Sequence, residues 1–246
     1  YIIDMYRGII QEQNFLTEEL REQIFQRQLD RPLGHGRIWR VRHQQGKAGA
    51  VTSSLGDAAS MDLVISLFSP NGWVRDTAQR LLIARPGEAT QQLHQVLTGE
   101  STLAAIHALW ALQGRGELSR EMVLATLAKG DSARSQQALR AGHLLLTSED
   151  LLALDTAKSD ALTMQLAFAL GDHSSEQGAR AFLRDLLVDH SANAYVTQAI
   201  VRASRGAEME FLQELLVDER FTQASQHNEK ILAALAASAY RSIGTN

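Results

Sequence analysis

Asp4, Tyr6 and Arg7 bring a carboxylate, a phenol and a guanidinium together at the very start of the sequence. A guanidinium pairs bidentately with carboxylates, so Arg7 could face an anionic ligand. The competing reading is local: charged residues at a strand end usually settle the geometry of the turn and ladder. A second set of candidates is aromatic. Trp73 and Trp110 could anchor a partner, with Arg75 beside the first of them, because exposed Trp often does so. The commoner use of Trp is to fill the space between packed helices.

The eight histidines (35, 43, 94, 107, 143, 173, 190 and 227) are dispersed. None forms the i, i+4 pair with an intervening Glu that marks a zinc hydrolase, so no metal site is expected. Gly34-His35-Gly36 is too short and wrongly placed for a phosphate loop. Arg37, Arg40, Arg42 and Lys47 make a short basic cluster, which on a strand reads as a solvated face or a contact for an acidic partner. No nucleophile, base and acid occur with local support for one another.

What must position these residues is mostly helix. The chain has 246 residues, 45% of them hydrophobic, and Leu and Ala prevail over its 6% aromatics. Residues 1–57 carry eight Lys/Arg against seven Asp/Glu, and residues 58–246 carry sixteen against twenty-one. An acidic helical region lacks the clustered cations that clamp a phosphate backbone, so nucleic acid is not an expected partner. The absence of cysteine excludes disulfides, thiolate metal sites and covalent haem attachment within this segment. No apolar run approaches the ~20 residues that span a bilayer. Tyr1-Ile2-Ile3 reads as the middle of a strand, which predicts a segment of something longer.

Residues 1–42 predict strand, short helix, strand. Tyr1 to Arg7 is β-branched and aromatic, Thr17 is a candidate N-cap followed by Glu18 and Glu19, and Leu20, Ile24 and Phe25 supply an apolar stripe. Arg37 to Arg42 alternates charged and apolar residues. Residues 43–57 are polar and glycine-rich and read as a linker. From residue 58 onward the pattern is repetitive. Helical stretches are predicted near 60–68, 73–85, 88–97, 101–113, 119–128, 132–146, 148–156, 160–170, 175–188, 192–204, 207–217 and 227–241, separated by Gly and Pro breakers. Taken in pairs they give about six hairpins of about 25–35 residues, the spacing of an α-solenoid. Leu103, Ile106, His107, Trp110 and Ala111 fall on one face, and Ala104, Ala105 and Ala108 allow neighbouring hairpins to approach closely.

Two stretches carry a resemblance. Trp73-Val74-Arg75-Asp76 and the apolar run after it look like the opening of a HEAT-repeat helix, in which Asp76 would favour the helix N-terminus and Arg75 would pair with a neighbouring repeat's loop. Asp4-Met5-Tyr6-Arg7-Gly8-Ile9-Ile10-Gln11, Phe15-Leu16-Thr17, Leu20 to Ile24 and Gly36 to Val41 resemble the end of the β-propeller in planctomycete-type membrane-bound dehydrogenases. Those chains resemble the sorbosone/glucose dehydrogenase class of quinoproteins, in which HEAT-like repeats follow the propeller and a c-type cytochrome domain often comes next.

The resemblance implies an extracytoplasmic or periplasmic sugar or alcohol oxidoreductase as the parent. Pyrroloquinoline quinone would sit in the parent's propeller and haem c in a downstream domain, with neither cofactor in this segment. On that view Arg7, with Asp4 and Tyr6, is the candidate contact to the quinone's carboxylates, and the parent's own propeller and cytochrome domain are the partners. The expected fold is mainly α: a HEAT-like solenoid over 58–246 after a propeller-blade remnant over 1–42. The expected role is a scaffold. The alternatives are a direct contribution to a quinoprotein active site and a stand-alone HEAT adaptor.

Overall fold

The computed structural model describes residues 1–6, 13–31, 34–41, 54–130, 132–155, 159–222 and 226–243. It is mainly helical, with a small two-stranded sheet near the N-terminus. Two compact units divide the chain, Tyr1–Thr52 and Ser53–Asn246.

In the first unit, β1 (Ile2–Asp4) pairs antiparallel with β2 (Arg37–Trp39), placing Ile2 opposite Trp39, Ile3 opposite Ile38 and Asp4 opposite Arg37. Between them lies α1 (Glu18–Gln26), which starts where the Thr17 hydroxyl accepts the Leu20 N–H at 3.3 Å. Of the expected stripe only Ile24 is buried, and Leu20 and Phe25 stay exposed. Two short strands and nine helical residues offer too little surface to cover three large side chains. The linker reading of 43–57 falls largely outside the described residues, although Leu55–Asp57 forms one 3-10 turn.

The second unit is built from α2 (Ser60–Ser66), α3 (Gly72–Ile83), α4 (Thr90–Leu97), α5 (Thr102–Arg115), α6 (Arg120–Leu127), α7 (Ser132–Gly142), α8 (Ser148–Leu152), α9 (Asp160–Leu170), α10 (Gln177–Asp189), α11 (Ala194–Ala203), α12 (Glu208–Leu216), α13 (Glu219–Thr222) and α14 (Gln226–Ile243). Each predicted stretch contains a helix, and only α13 was not anticipated. The boundaries have local causes. Ser101, Ser119, Ser159 and Asn193 accept backbone N–H groups at the starts of α5, α6, α9 and α11. Gly116 ends α5 at φ 69°, a left-handed conformation that glycine adopts without a steric penalty. At α3 the expectation is corrected. Asn71, not Asp76, receives the Trp73 N–H at 3.0 Å, because Asp76 lies one turn too far into the helix.

The helices pair in order: α2 with α3, α4 with α5, α6 with α7, α8 with α9, α10 with α11, and α12 with α14. The second member of each pair also packs on the next second member, from α3 through α5, α7 and α9 to α11. These contacts are close. Ala104, Ala105 and Ala108 are fully buried, and a methyl group on Gly142 would collide with the Val123 side chain of α6. A Cβ on Gly171 would lie 3.2 Å from Ala203 Cα, where the end of α9 meets α11. The face of α5 carrying Leu103, Ile106, His107 and Trp110 is therefore not the core face. Leu103 is 56% exposed, while the small residues with Leu109 and Leu112 form the buried side.

Polar bonds repeat with the helices. Arg85 donates to the carbonyls of Gly56 and Ala58, and Arg115, one repeat later, donates to those of Leu82 and Glu88. The Glu88 carboxylate accepts from the Ser60 hydroxyl, and Glu117 accepts from the Thr90 hydroxyl at 2.6 Å. Arg134 reaches the carbonyls of Leu97 and Gly99. Arg120 pairs bidentately with Asp150, and Ser238 donates to Glu208, each across 30 residues. Separations from 27 residues (Arg85 to Ala58) to 37 (Arg134 to Leu97) are one helical pair in length. Arg115–Leu82, Arg134–Leu97 and Arg120–Asp150 tie one pair to the next, while Arg85–Ala58 and Ser238–Glu208 close a single pair.

Candidate functional site

Asp4 and Tyr6 form part of a closed local cluster. One Asp4 carboxylate oxygen accepts the Tyr6 N–H at 3.0 Å, and the other accepts the Trp39 indole N–H at 3.3 Å. Arg37 stands 3.7 Å from the same carboxylate, with its guanidinium 4.4 Å from the centre of the Tyr6 ring. His35 lies against Tyr6 at 5.6 Å between ring centres. Tyr6 itself takes φ 45°, a conformation uncommon for a residue with a side chain. The arrangement pins the open end of the β1–β2 ladder. Arg7 lies outside the described residues, so its relation to Asp4 and Tyr6 is not part of this geometry.

Trp73, Arg75 and Trp110 occupy neighbouring second helices and behave differently. Trp73 is 63% exposed, so it does not fill the space between helices. Trp110 is partly covered, and its indole N–H donates to Gln137 on α7 at 3.0 Å. Arg75 donates to the carbonyl of Ser69 at 2.7 Å, in its own preceding loop, and to His107 Nε2 at 3.2 Å on α5. The expected bond from Arg75 to a neighbouring repeat's loop is thus replaced by one to a neighbouring helix. His107 Nδ1 meets Gln79 Oε1 at 2.7 Å and lies 4.0 Å from Asp76. Burial pushes the His107 pKa below its ordinary value, with Asp76 opposing and Arg75 assisting. With Arg75 donating to Nε2, the neutral tautomer carries its proton on Nδ1 and donates to Gln79. These contacts place the Arg75–His107 pair in a structural bridge between α3 and α5.

A wide cleft lies elsewhere, between α9, α11 and α14. It has a volume of about 1150 Å³ and opens to solvent. Its floor includes Met164, Phe168 and Ile231, and its cations are Arg202, Arg205, Lys230 and Arg241. Among the described residues no Asp or Glu lines it. The cleft exists because the close packing of second helices stops here: α14 lies mainly along α12 and only sparsely against α11. Two buried polar atoms in its wall, Thr197 Oγ1 and His227 Nε2, have no hydrogen-bond partner. None of these residues was singled out from the sequence beyond the mention of His227. They stand on three helices far apart in the chain, and the only local signal was the recurrence of cations at 202, 205, 230 and 241 in an acidic region.

Among the described residues no group of three or more His, Asp or Glu is placed to hold a metal, and no helix is long and apolar enough to cross a membrane.

Known proteins illuminate only the N-terminal unit. A family described as a domain of unknown function (DUF7133) matches residues 1–45, the stretch that holds Asp4, Tyr6, Arg7 and Trp39. No curated protein and no solved structure matches the chain.

Proposed function

We propose that the helical unit is a HEAT-like α-solenoid that serves as a docking scaffold within a larger extracytoplasmic protein of the quinoprotein dehydrogenase type. The observation that carries the solenoid reading is the set of side-chain bonds between successive pairs, Arg115 to Leu82 and Arg120 to Asp150 among them. A stack held by such bonds is stabilised by nearest neighbours and presents one continuous row of second helices to a partner. The scaffold role is further supported by what that row displays: exposed Trp73 near one end and a wide cationic cleft near the other.

The first unit supports the propeller context. Ile2, Ile3 and Ile38 are exposed, Ile3 by 75%, on a sheet of only two strands. Such a sheet is marginal in water, and further strands packed on these residues would complete it. The closed Asp4–Arg37–Tyr6 cluster favours a structural role for the blade end over direct contact with quinone, which leaves the parent's cofactor to be held elsewhere.

Two measurements test the reading together. Sequencing the gene on both sides should reveal an in-frame, strand-rich region upstream of Tyr1, and a start codon directly before Tyr1 would overturn the dehydrogenase context. Titration of the chain with pyrroloquinoline quinone should give no saturable fluorescence change. Saturable binding that is lost in Arg7→Ala would instead favour a direct contribution to a quinoprotein active site.

A further inference from the structure

We propose that the cleft between α11 and α14 binds an acidic peptide segment of a partner protein, anchored by an apolar side chain. The proposal rests on the docking role argued above and assigns it a place and a ligand chemistry.

The charge of the cleft runs against the charge of its unit. Four of the sixteen Lys/Arg in residues 58–246 line this one hollow, without a lining carboxylate, although Asp/Glu outnumber Lys/Arg in the region. Glu208 is bound to two lining residues, but it is buried, with one oxygen taken by the Gly206 N–H and the other by the Ser238 hydroxyl. Elsewhere in the unit arginines are consumed by carbonyls and carboxylates: Arg85, Arg115, Arg120, Arg134 and Arg180 all have such partners. Arg202, Arg205 and Lys230 are exposed, and exposed cations converging on a concave surface attract an anion and steer its approach.

Size and wall chemistry favour a peptide over a small anion. A volume of about 1150 Å³ exceeds the usual ~300–1,000 Å³ of a small-molecule pocket. The floor of Met164, Phe168 and Ile231 suits an apolar side chain, and Met adapts to varied shapes. Thr197 is only 8% exposed and its hydroxyl is unsatisfied, as is His227 Nε2. Unpaired buried polar atoms in a wall are costly, and peptide backbone groups entering the cleft would give them partners. A smaller hollow of about 160 Å³ shares Phe168 and continues the row toward Arg140, which lengthens the track available to an extended chain.

The test is to pan a phage library of random sixteen-residue peptides against the full chain. Enriched peptides should carry several Asp/Glu and at least one large apolar residue. Their affinity, read by fluorescence anisotropy, should fall at least tenfold in Arg202→Glu/Lys230→Glu and weaken with added salt. Both residues are exposed, so the fold is retained, as circular dichroism will show. Ala234→Trp, which fills the cleft without changing charge, should abolish binding as well.

Failure to enrich any peptide, enrichment of non-acidic peptides, or binding indifferent to both variants would overturn the proposal. Displacement of the peptides by oligodeoxythymidine at equal charge would assign the cleft to nucleic acid. A dimer in sedimentation that Arg202→Glu dissociates would assign it to a second copy of the chain. Non-acidic peptides lost in Trp73→Ala would remove the cleft assignment and leave the docking role standing.

Discussion

His107 and Asp150 show how single side chains report the contacts between helical pairs. His107 is held below its ordinary pKa of 6.5 chiefly by burial. A base with a lowered folded pKa binds fewer protons folded than unfolded at intermediate pH. Its contribution to stability is therefore whole above 6.5 and declines as pH falls from there toward the folded value. In a nuclear magnetic resonance titration its imidazole should show a midpoint under 6.5. A midpoint at or above that figure would mean that Asp76, not burial, governs the site.

Asp150 is also shifted down, but because its charged form is stabilised. Hydrogen bonds from Arg120 first, and then from the Thr147 backbone, lower its pKa to about 2 from the ordinary 3.8. The stabilisation it gives is complete above the ordinary value and is lost as pH drops through about 2. Urea unfolding at pH 4 and pH 2.5 should show a larger loss of stability in the native chain than in Asp150→Asn. Equal losses would show that the Arg120–Asp150 bond does not couple to folding.

At the scale of elements, the joints between pairs are tight and specific. Gly142→Ala drives a methyl group into Val123, a fully buried side chain, and overpacking of this kind costs about 1–3 kcal/mol. A chemical denaturation midpoint unchanged by this substitution would show that α6 and α7 have room to separate. Arg115, whose side chain is completely covered, holds two carbonyls of the preceding repeat. Arg115→Ala should cost about 1–3 kcal/mol for each carbonyl left dry, and less where water enters. Thr147 and Asp150 form a reciprocal cap at the start of α8, a helix of five residues, and Thr147→Ala should cost about 1 kcal/mol.

These elements were legible in the sequence to different degrees. Pro70-Asn71-Gly72, Pro86-Gly87 and Gly116 punctuate the chain at short range, so the helices between them could be placed from local pattern alone. The face of α5 could not. Ile106 and Trp110 look like core by size, yet close approach of neighbouring helices reserves the interior for Ala104, Ala105 and Ala108. At α3 Asn71 and Asp76 both offer a side-chain oxygen as acceptor, and only the backbone decides that Asn71 is the cap. Asp4 and Trp110 could be flagged by residue type, but their side-chain partners Trp39 and Gln137 lie 35 and 27 residues away. The cleft was invisible, since it depends on how α14 leans away from α11.

At the scale of the molecule, the helices of the second unit pair in order, and the proposed solenoid makes it a row in which each pair packs mainly on its neighbours. Such a row should open locally rather than all at once, and its cationic cleft lies where the second helices part. Native-state hydrogen exchange of Gly142→Ala tests this most directly. The account predicts that amides in α5, α6, α7 and α9 lose protection while those in α11, α12 and α14 keep theirs. A uniform loss of protection across Ser53–Asn246 would contradict it and describe a single cooperative globule instead of a repeat scaffold.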